Sequence, residues 1–129
     1  MSETVFILDA SALLAVMRDE EGAARIYDVL ADARISAVNL SEVVAKLQER
    51  GVPDEVIDES LLDLDLHVVP FDQAQAMAAG KLRASTRPHG LSLGDRACLA
   101  LAASVDGTAV TADRTWRKLD VGIRVELAR

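Results

Sequence analysis

At 129 residues the chain has material for one compact domain with a single core, residues 1–129, and therefore for one principal site. Half of the residues are hydrophobic, chiefly Ala, Val and Leu with few aromatics, which fits a folded α/β or helix-rich domain and argues against disorder. The net charge of −7 ordinarily argues against a nucleic-acid partner, since phosphate binding favours a basic surface, no apolar run approaches the roughly 20 residues that span a bilayer, and the lone Cys98 supports neither a disulfide nor a zinc site. Met1-Ser2-Glu3-Thr4 also lacks the basic opening of a secretion signal, so the expected compartment is the cytoplasm.

In chain order, Thr4-Val5-Phe6-Ile7-Leu8 is a short β-branched and apolar run without alternation, the pattern of a strand buried on both faces. Helices are expected over residues 11–18 and 20–33, the second carrying Ala23, Ile26, Tyr27 and Leu30 at helical spacing. Arg34-Ile35-Ser36-Ala37-Val38 reads as a second strand. Asn39 then opens a helix with Leu40, Val43, Val44 and Leu47 on one face, closed by Gly51, and Pro53 starts the next. Leu66-His67-Val68-Val69-Pro70 is a third strand, followed by a long helix over residues 72–85, capped by Asp72, and a loop at Thr86-Arg87-Pro88-His89-Gly90. Another helix begins near Gly94. Thr108-Ala109-Val110-Thr111 and Gly122-Ile123-Arg124-Val125-Glu126-Leu127 complete the pattern as fourth and fifth strands, the last alternating. Strands alternating with helices imply an α/β fold, a three-layer α/β/α sandwich with a short central parallel sheet. Such sheets place their sites at the carboxyl ends of strands.

Four acids fall at such places: Asp9 after the first strand, Glu42 after the second, Asp95 at a helix start and Asp113 after the fourth strand. Each has a local explanation. Asp9 and Asp113 can each cap a helical segment directly after them, and Asn39-Leu40-Ser41-Glu42 and Ser92-Leu93-Gly94-Asp95 have capping-box spacing. If they converge instead, each close pair of bare carboxylates repels by roughly 1 to 4 kcal/mol, a cost that a cation would offset. Oxygen-only ligands suit Mg²⁺ or Mn²⁺, the usual device for hydrolysing a phosphodiester.

Charge is unevenly distributed. Met1 to Gly80 holds 5 basic and 16 acidic residues, whereas Lys81 to Arg129 holds 9 basic and 5 acidic. The second part can therefore present a basic face, with Arg83, Arg87, Arg96, Arg114, Arg117 and Lys118 available for phosphates.

Four segments together resemble the PIN-domain ribonucleases, and within them the VapC-type toxins of toxin–antitoxin pairs. They are Phe6-Ile7-Leu8-Asp9-Ala10-Ser11-Ala12-Leu13, Asn39-Leu40-Ser41-Glu42-Val43, the run from Leu91-Ser92-Leu93-Gly94-Asp95-Arg96 to Ala102, and Val110-Thr111-Ala112-Asp113-Arg114-Thr115-Trp116. Val69-Pro70-Phe71-Asp72 before an Ala-rich helix also looks like these toxins. The resemblance implies a metal-dependent endoribonuclease acting on single-stranded or loop RNA, a small antitoxin partner that blocks the site, and a homodimer. It implies that Asp9, Glu42 and Asp95 bind Mg²⁺ or Mn²⁺, that Asp113 holds a second ion or positions water, and that the Ser11 and Thr111 hydroxyls bond the acids or their waters. Arg96 and Arg114, each beside a site acid, are the RNA-contact candidates.

Other residues read as structural. His67 and His89 have no Ser or Cys partner at recognisable spacing. Trp116 reads as a core anchor, and the acidic stretch from Asp54 through Asp63 and Asp65 as a solvated face that a basic antitoxin tail could meet. The alternative function is a catalytically silent PIN-like module that binds a protein. A receiver-like domain would need paired early acids and a lysine after the last strand, but Glu3 and Asp9 are separated and Lys118 lies past Asp113. A haloacid-type phosphatase would carry a second acid where Ser11 stands.

Overall fold

The computed structural model describes residues 4–129, so the opening Met1-Ser2-Glu3 lies outside the described residues. Among them, five strands form one parallel sheet: β1 (Phe6–Leu8), β2 (Ala33–Ser36), β3 (His67–Val69), β4 (Thr108–Thr111) and β5 (Arg124–Leu127). The helices are α1 (Ala10–Met17), α2 (Ala23–Val29), α3 (Ala37–Glu49), α4 (Asp54–Leu64), α5 (Gln73–Lys81), α6 (Arg83–Thr86) and α7 (Leu93–Ser104). The strand order is β3-β2-β1-β4-β5, and every neighbouring pair is parallel.

Strand β1 is central, as its unbroken apolar run predicts. Ile7 faces a core cluster with Cys98, Leu99 and Ala102 of α7, while Leu8 faces Ala12 and Ala15 of α1 and Ile26 of α2. Both faces of the sheet are thus covered, which is the expected three-layer sandwich. A third cluster packs Leu13 and Leu14 of α1 against Val43 and Leu47 of α3 and Ile57 of α4. Trp116 is 1% exposed and anchors the first cluster, as expected, and Cys98 is buried there as a small hydrophobe. On β5, Val125 and Leu127 pack inward while Glu126 pairs with Arg25, so the alternation is real on an edge strand. No helix among the described residues is long and apolar enough to cross a membrane.

Several boundaries differ from expectation. Helix α3 starts at Ala37 because Ser36 accepts the Val38 N–H at 3.2 Å, so Asn39 lies inside the first turn rather than capping it. Helix α2 is confined to Ala23–Val29: Gly22, at φ +95°, precedes it, and a 3₁₀ turn over Leu30–Asp32 comes after it. The long helix expected over 72–85 is two pieces, with Asp72 capping α5 as expected and the Thr86 hydroxyl drawing on the Leu82 carbonyl at 2.8 Å. That side-chain bond competes with the regular ladder.

From β1 the chain steps outward to β2 and β3, then crosses back to β4 and β5 on the other side of β1. The order therefore reverses between β1 and β4. At such a switch point the flanking connections leave in opposite directions and open a crevice at the carboxyl ends of the strands. Asp9 directly follows β1, and Asp113 follows β4 after one residue.

Candidate functional site

Asp9 leaves the end of β1 in extended conformation and caps α1, with Oδ1 accepting the Ala12 N–H at 2.8 Å and the Ser11 hydroxyl at 2.7 Å. The Thr111 hydroxyl donates to Oδ2 at 2.5 Å from the end of β4. Ser11 and Thr111 are in turn fixed by the Ala112 and Asp113 N–H groups, each at 3.0 Å. Two hydroxyls thus lace the ends of β1 and β4 around one carboxylate, and both predicted auxiliary positions touch Asp9.

This carboxylate is only 3% exposed. Burial, with a smaller contribution from the Asp95 charge, raises its pKa to about 6 against the opposing effect of the Thr111, Ser11 and Ala12 donors. Glu42, half-buried on α3, also has its pKa raised by burial and then by Asp95, while the Asn39 amide and Lys46 work the other way. The Cys98 thiol beneath is pushed up by burial and by the charges of Asp9, Asp95 and Glu42. These three acids therefore share one electrostatic neighbourhood.

Asp95 stands in the first turn of α7, where Oδ2 accepts the Ser92 N–H at 2.9 Å and completes a capping box. Asp113 caps the 3₁₀ turn Arg114–Lys118 and accepts the N–H and hydroxyl of Thr115. Capping and the proposed site role thus coincide at Asp9, Asp95 and Asp113. Glu42 caps nothing. Its Oε1 accepts from Asn39 Nδ2 at 3.0 Å, and the same amide donates to the Gly94 carbonyl at 3.0 Å.

Asp113 is linked to the group through Thr111, whose hydroxyl accepts its N–H. Among the described residues, no three Asp, Glu, His or Cys side chains lie close enough together to hold one metal ion. Each of the four carboxylates accepts from a nearby protein donor instead. Glu42 Oε2, Asp95 Oδ1 and Asp113 Oδ2 remain without a protein hydrogen bond among the described residues. The donor set, all hard oxygen and mutually repelling, fits a divalent cation in chemistry.

The two arginines part ways. Arg96 is half-buried and donates from its guanidinium to the Ala79 carbonyl at 3.0 Å, tying α7 to α5. Arg114 is exposed and meets Glu21 at 3.3 Å on an open cleft of about 570 Å³ that Ser11, Asp113 and Arg129 also line. Of the remaining basic candidates, Arg83, Arg87, Arg117 and Lys118 are all exposed. Glu21, Asn39, Gly94 and Arg129 were not among the sequence-derived site residues. Only Asn39 left a usable trace, three residues before Glu42 on one helix face.

A parallel sheet with this switch point, carrying carboxylates at its mouth, is the architecture of a PIN domain. The sequence matches the PIN domain family over residues 6–122, and the chain belongs to that family. It is 36% identical over 110 residues to the VapC ribonuclease Mb0625 of Mycobacterium bovis and, equally, to ribonuclease VapC28 of Mycobacterium tuberculosis, covering 78% of this chain and 81% of each relative. The fold is also that of the Rickettsia felis VapBC2 structure, solved bound to a promoter DNA fragment, with TM-score 0.77 at 17% identity over 96% of this chain and 98% of that one. Mycobacterium tuberculosis VapC20, described as a sarcin-ricin-loop-cleaving toxin, aligns with TM-score 0.70 at 15% identity over 92% and 98% of the two chains.

Proposed function

We propose that this chain is a metal-dependent endoribonuclease that hydrolyses RNA phosphodiester bonds and acts as the toxin of a toxin–antitoxin pair. The observation that carries the reading is Asp9, a carboxylate buried at the switch point, its pKa raised to about 6 and sharing its field with Glu42 and Asp95. Capping α1 alone does not require so deep a burial, since caps work at the surface. Kinship with curated VapC ribonucleases supports the same activity.

Asp9, Glu42 and Asp95 would hold Mg²⁺ or Mn²⁺, with Asp113 at the edge to take a second ion or orient water. Such a cation supplies charge neutralisation at the scissile phosphate and hydroxide near neutral pH. Ser11 and Thr111 fix the direction of the Asp9 carboxylate. Arg114 contacts the RNA backbone on leaving Glu21, whereas Arg96 serves the α5–α7 contact. The substrate class is single-stranded or loop RNA. A cognate antitoxin covers the site, the toxin pairs as a homodimer, and both work in the cytoplasm. Neighbours solved as toxin–antitoxin complexes support the antitoxin partner.

A second reading, a silent PIN-like module that binds a protein, is favoured by one observation: Asp9, Asp95 and Asp113 are each satisfied in helix-capping bonds, and among the described residues no three acids close on one point. Cleavage of mixed structured and single-stranded RNAs with Mg²⁺, Mn²⁺ or EDTA separates the two, run beside Asp9→Asn and Asp95→Asn, which remove charge while nearly preserving shape. Metal-dependent cutting lost in both variants is the expected result. Wild type and variants equally inert, with tight partner binding retained, would establish the silent module.

A further inference from the structure

Asn39 occupies a place on α3 that would ordinarily be apolar. It is 1% exposed, inside the first turn, and asparagine is a weak helix former there. Its Nδ2 donates both to Glu42 Oε1, three residues on, and to the Gly94 carbonyl of α7, each at 3.0 Å. Its Oδ1 is buried without a donor among the described residues. The opposite amide orientation would set Oδ1 against two acceptors, so the neighbours dictate this one. An orphaned buried carbonyl costs stability, and Leu or Val at this position would avoid that cost.

The other half of the arrangement is Gly94. A Cβ built on it would fall on the Glu42 carboxyl, meeting Oε1, Cδ and Oε2 and no other atom among its three nearest. Gly94 has no positive φ to explain its identity. The room its missing side chain leaves is where the Glu42 carboxylate lies, one residue from Asp95.

We propose that Asn39 and Gly94 are positioning residues for Glu42, the amide tying its carboxylate to the start of α7 and the glycine leaving the space it occupies. This rests on the metal-dependent reading of the site. Both residues act through Glu42, so their effects must vanish once Glu42 no longer carries its charge.

The test is calorimetric titration of the full chain with Mn²⁺ at pH 7.5. It compares wild type, Asn39→Ala, Gly94→Ala, Glu42→Gln and the two double variants that combine each positioning change with Glu42→Gln. Unfolding midpoints taken without metal run alongside. Asn39→Ala and Gly94→Ala should each weaken Mn²⁺ binding about tenfold, and less than about twofold further in the Glu42→Gln background. Gly94→Ala should leave the metal-free midpoint unchanged or raised, because the collision is with the end of a flexible side chain and alanine favours the helix. That variant decides the matter if Asn39→Ala folds poorly. Unchanged Mn²⁺ affinity in Gly94→Ala, or an equal loss in the Glu42→Gln background, would overturn the positioning role while leaving the metal reading intact. Absence of Mn²⁺ binding by wild type would overturn both.

Discussion

Thr111 donates its hydroxyl to Asp9 Oδ2 at 2.5 Å, joining residues 102 positions apart, and the same oxygen accepts the Asp113 N–H. One fully buried side chain thus orients an acid on each of two adjacent strand ends. Thr111→Val keeps the shape and removes both bonds. It should lose about 1 to 3 kcal/mol in urea unfolding at pH 7.5, and metal-dependent cleavage should fall roughly 10- to 100-fold. Thr111→Ser should recover most of both. Full activity in the valine variant would mean that Asp9 needs no second strand to aim it.

The Asp9 pKa carries a signed consequence for stability. Folded, the group holds its proton up to about pH 6, against a reference value of 3.8. Between these values the folded state binds more protons than the unfolded one, so metal-free stability falls as pH rises through the window. The loss from this group is on the order of 2 to 3 kcal/mol by pH 7. Asp9→Asn should therefore be more stable than wild type in EDTA at pH 7.5, with the advantage gone below pH 4. Mn²⁺ should raise the midpoint of wild type only. Parallel stability curves for the two proteins from pH 4 to 7.5 would refute this account.

Arg96 and Arg114 are predicted to fail in different assays. Arg96→Met breaks the bond to the Ala79 carbonyl and should lower the unfolding midpoint without altering the salt dependence of RNA binding. Arg114→Gln leaves the core untouched and should reduce the slope of log K against log salt by about 0.7 to 1. Binding is measured in the Asp95→Asn background to prevent turnover. The converse pattern would return Arg96 to the RNA surface.

Gly22 is predicted to be intolerant for backbone reasons alone. Its φ is +95°, and a Cβ there would lie 2.8 Å from the Ala128 carbonyl oxygen, which belongs to backbone and cannot swing aside. Gly22→Ala should cost about 2 to 3 kcal/mol in urea unfolding despite the better helix propensity of alanine. A neutral result would show that the chain after β5 yields.

The sheet was legible because its central strands are locally emphatic: Phe6-Ile7-Leu8 is an unbroken apolar run stopped by Asp9, and Thr108-Ala109-Val110-Thr111 is a β-branched run set off by the turn pair Asp106-Gly107. The start of α3 was not, because Ser36 sits within a run that reads as strand and only its hydrogen bond to Val38 reveals the cap. The acids' positions followed from the pattern, but whether they cap or converge did not, since the same local spacing serves both. Arg96 was drawn to the site by adjacency to Asp95. Successive helical residues point about 100° apart, however, and the fold sends Arg96 toward α5. Glu21 reaches Arg114 across 93 residues, and Asn39 reaches Gly94 across 55, separations at which sequence periodicity carries no signal.

Asp9 and Asp113 cap helical segments and Asp95 completes the capping box of α7, so a descendant of this chain that had stopped cutting RNA would still be selected to keep them for folding alone. Their persistence would be no news of activity. Glu42 begins nothing, and its burial beside Asp95 is a standing burden on the fold. If the proposed metal site is right, Glu42 would be the first of the four to drift once catalysis lapsed, and its loss would separate working relatives from retired ones.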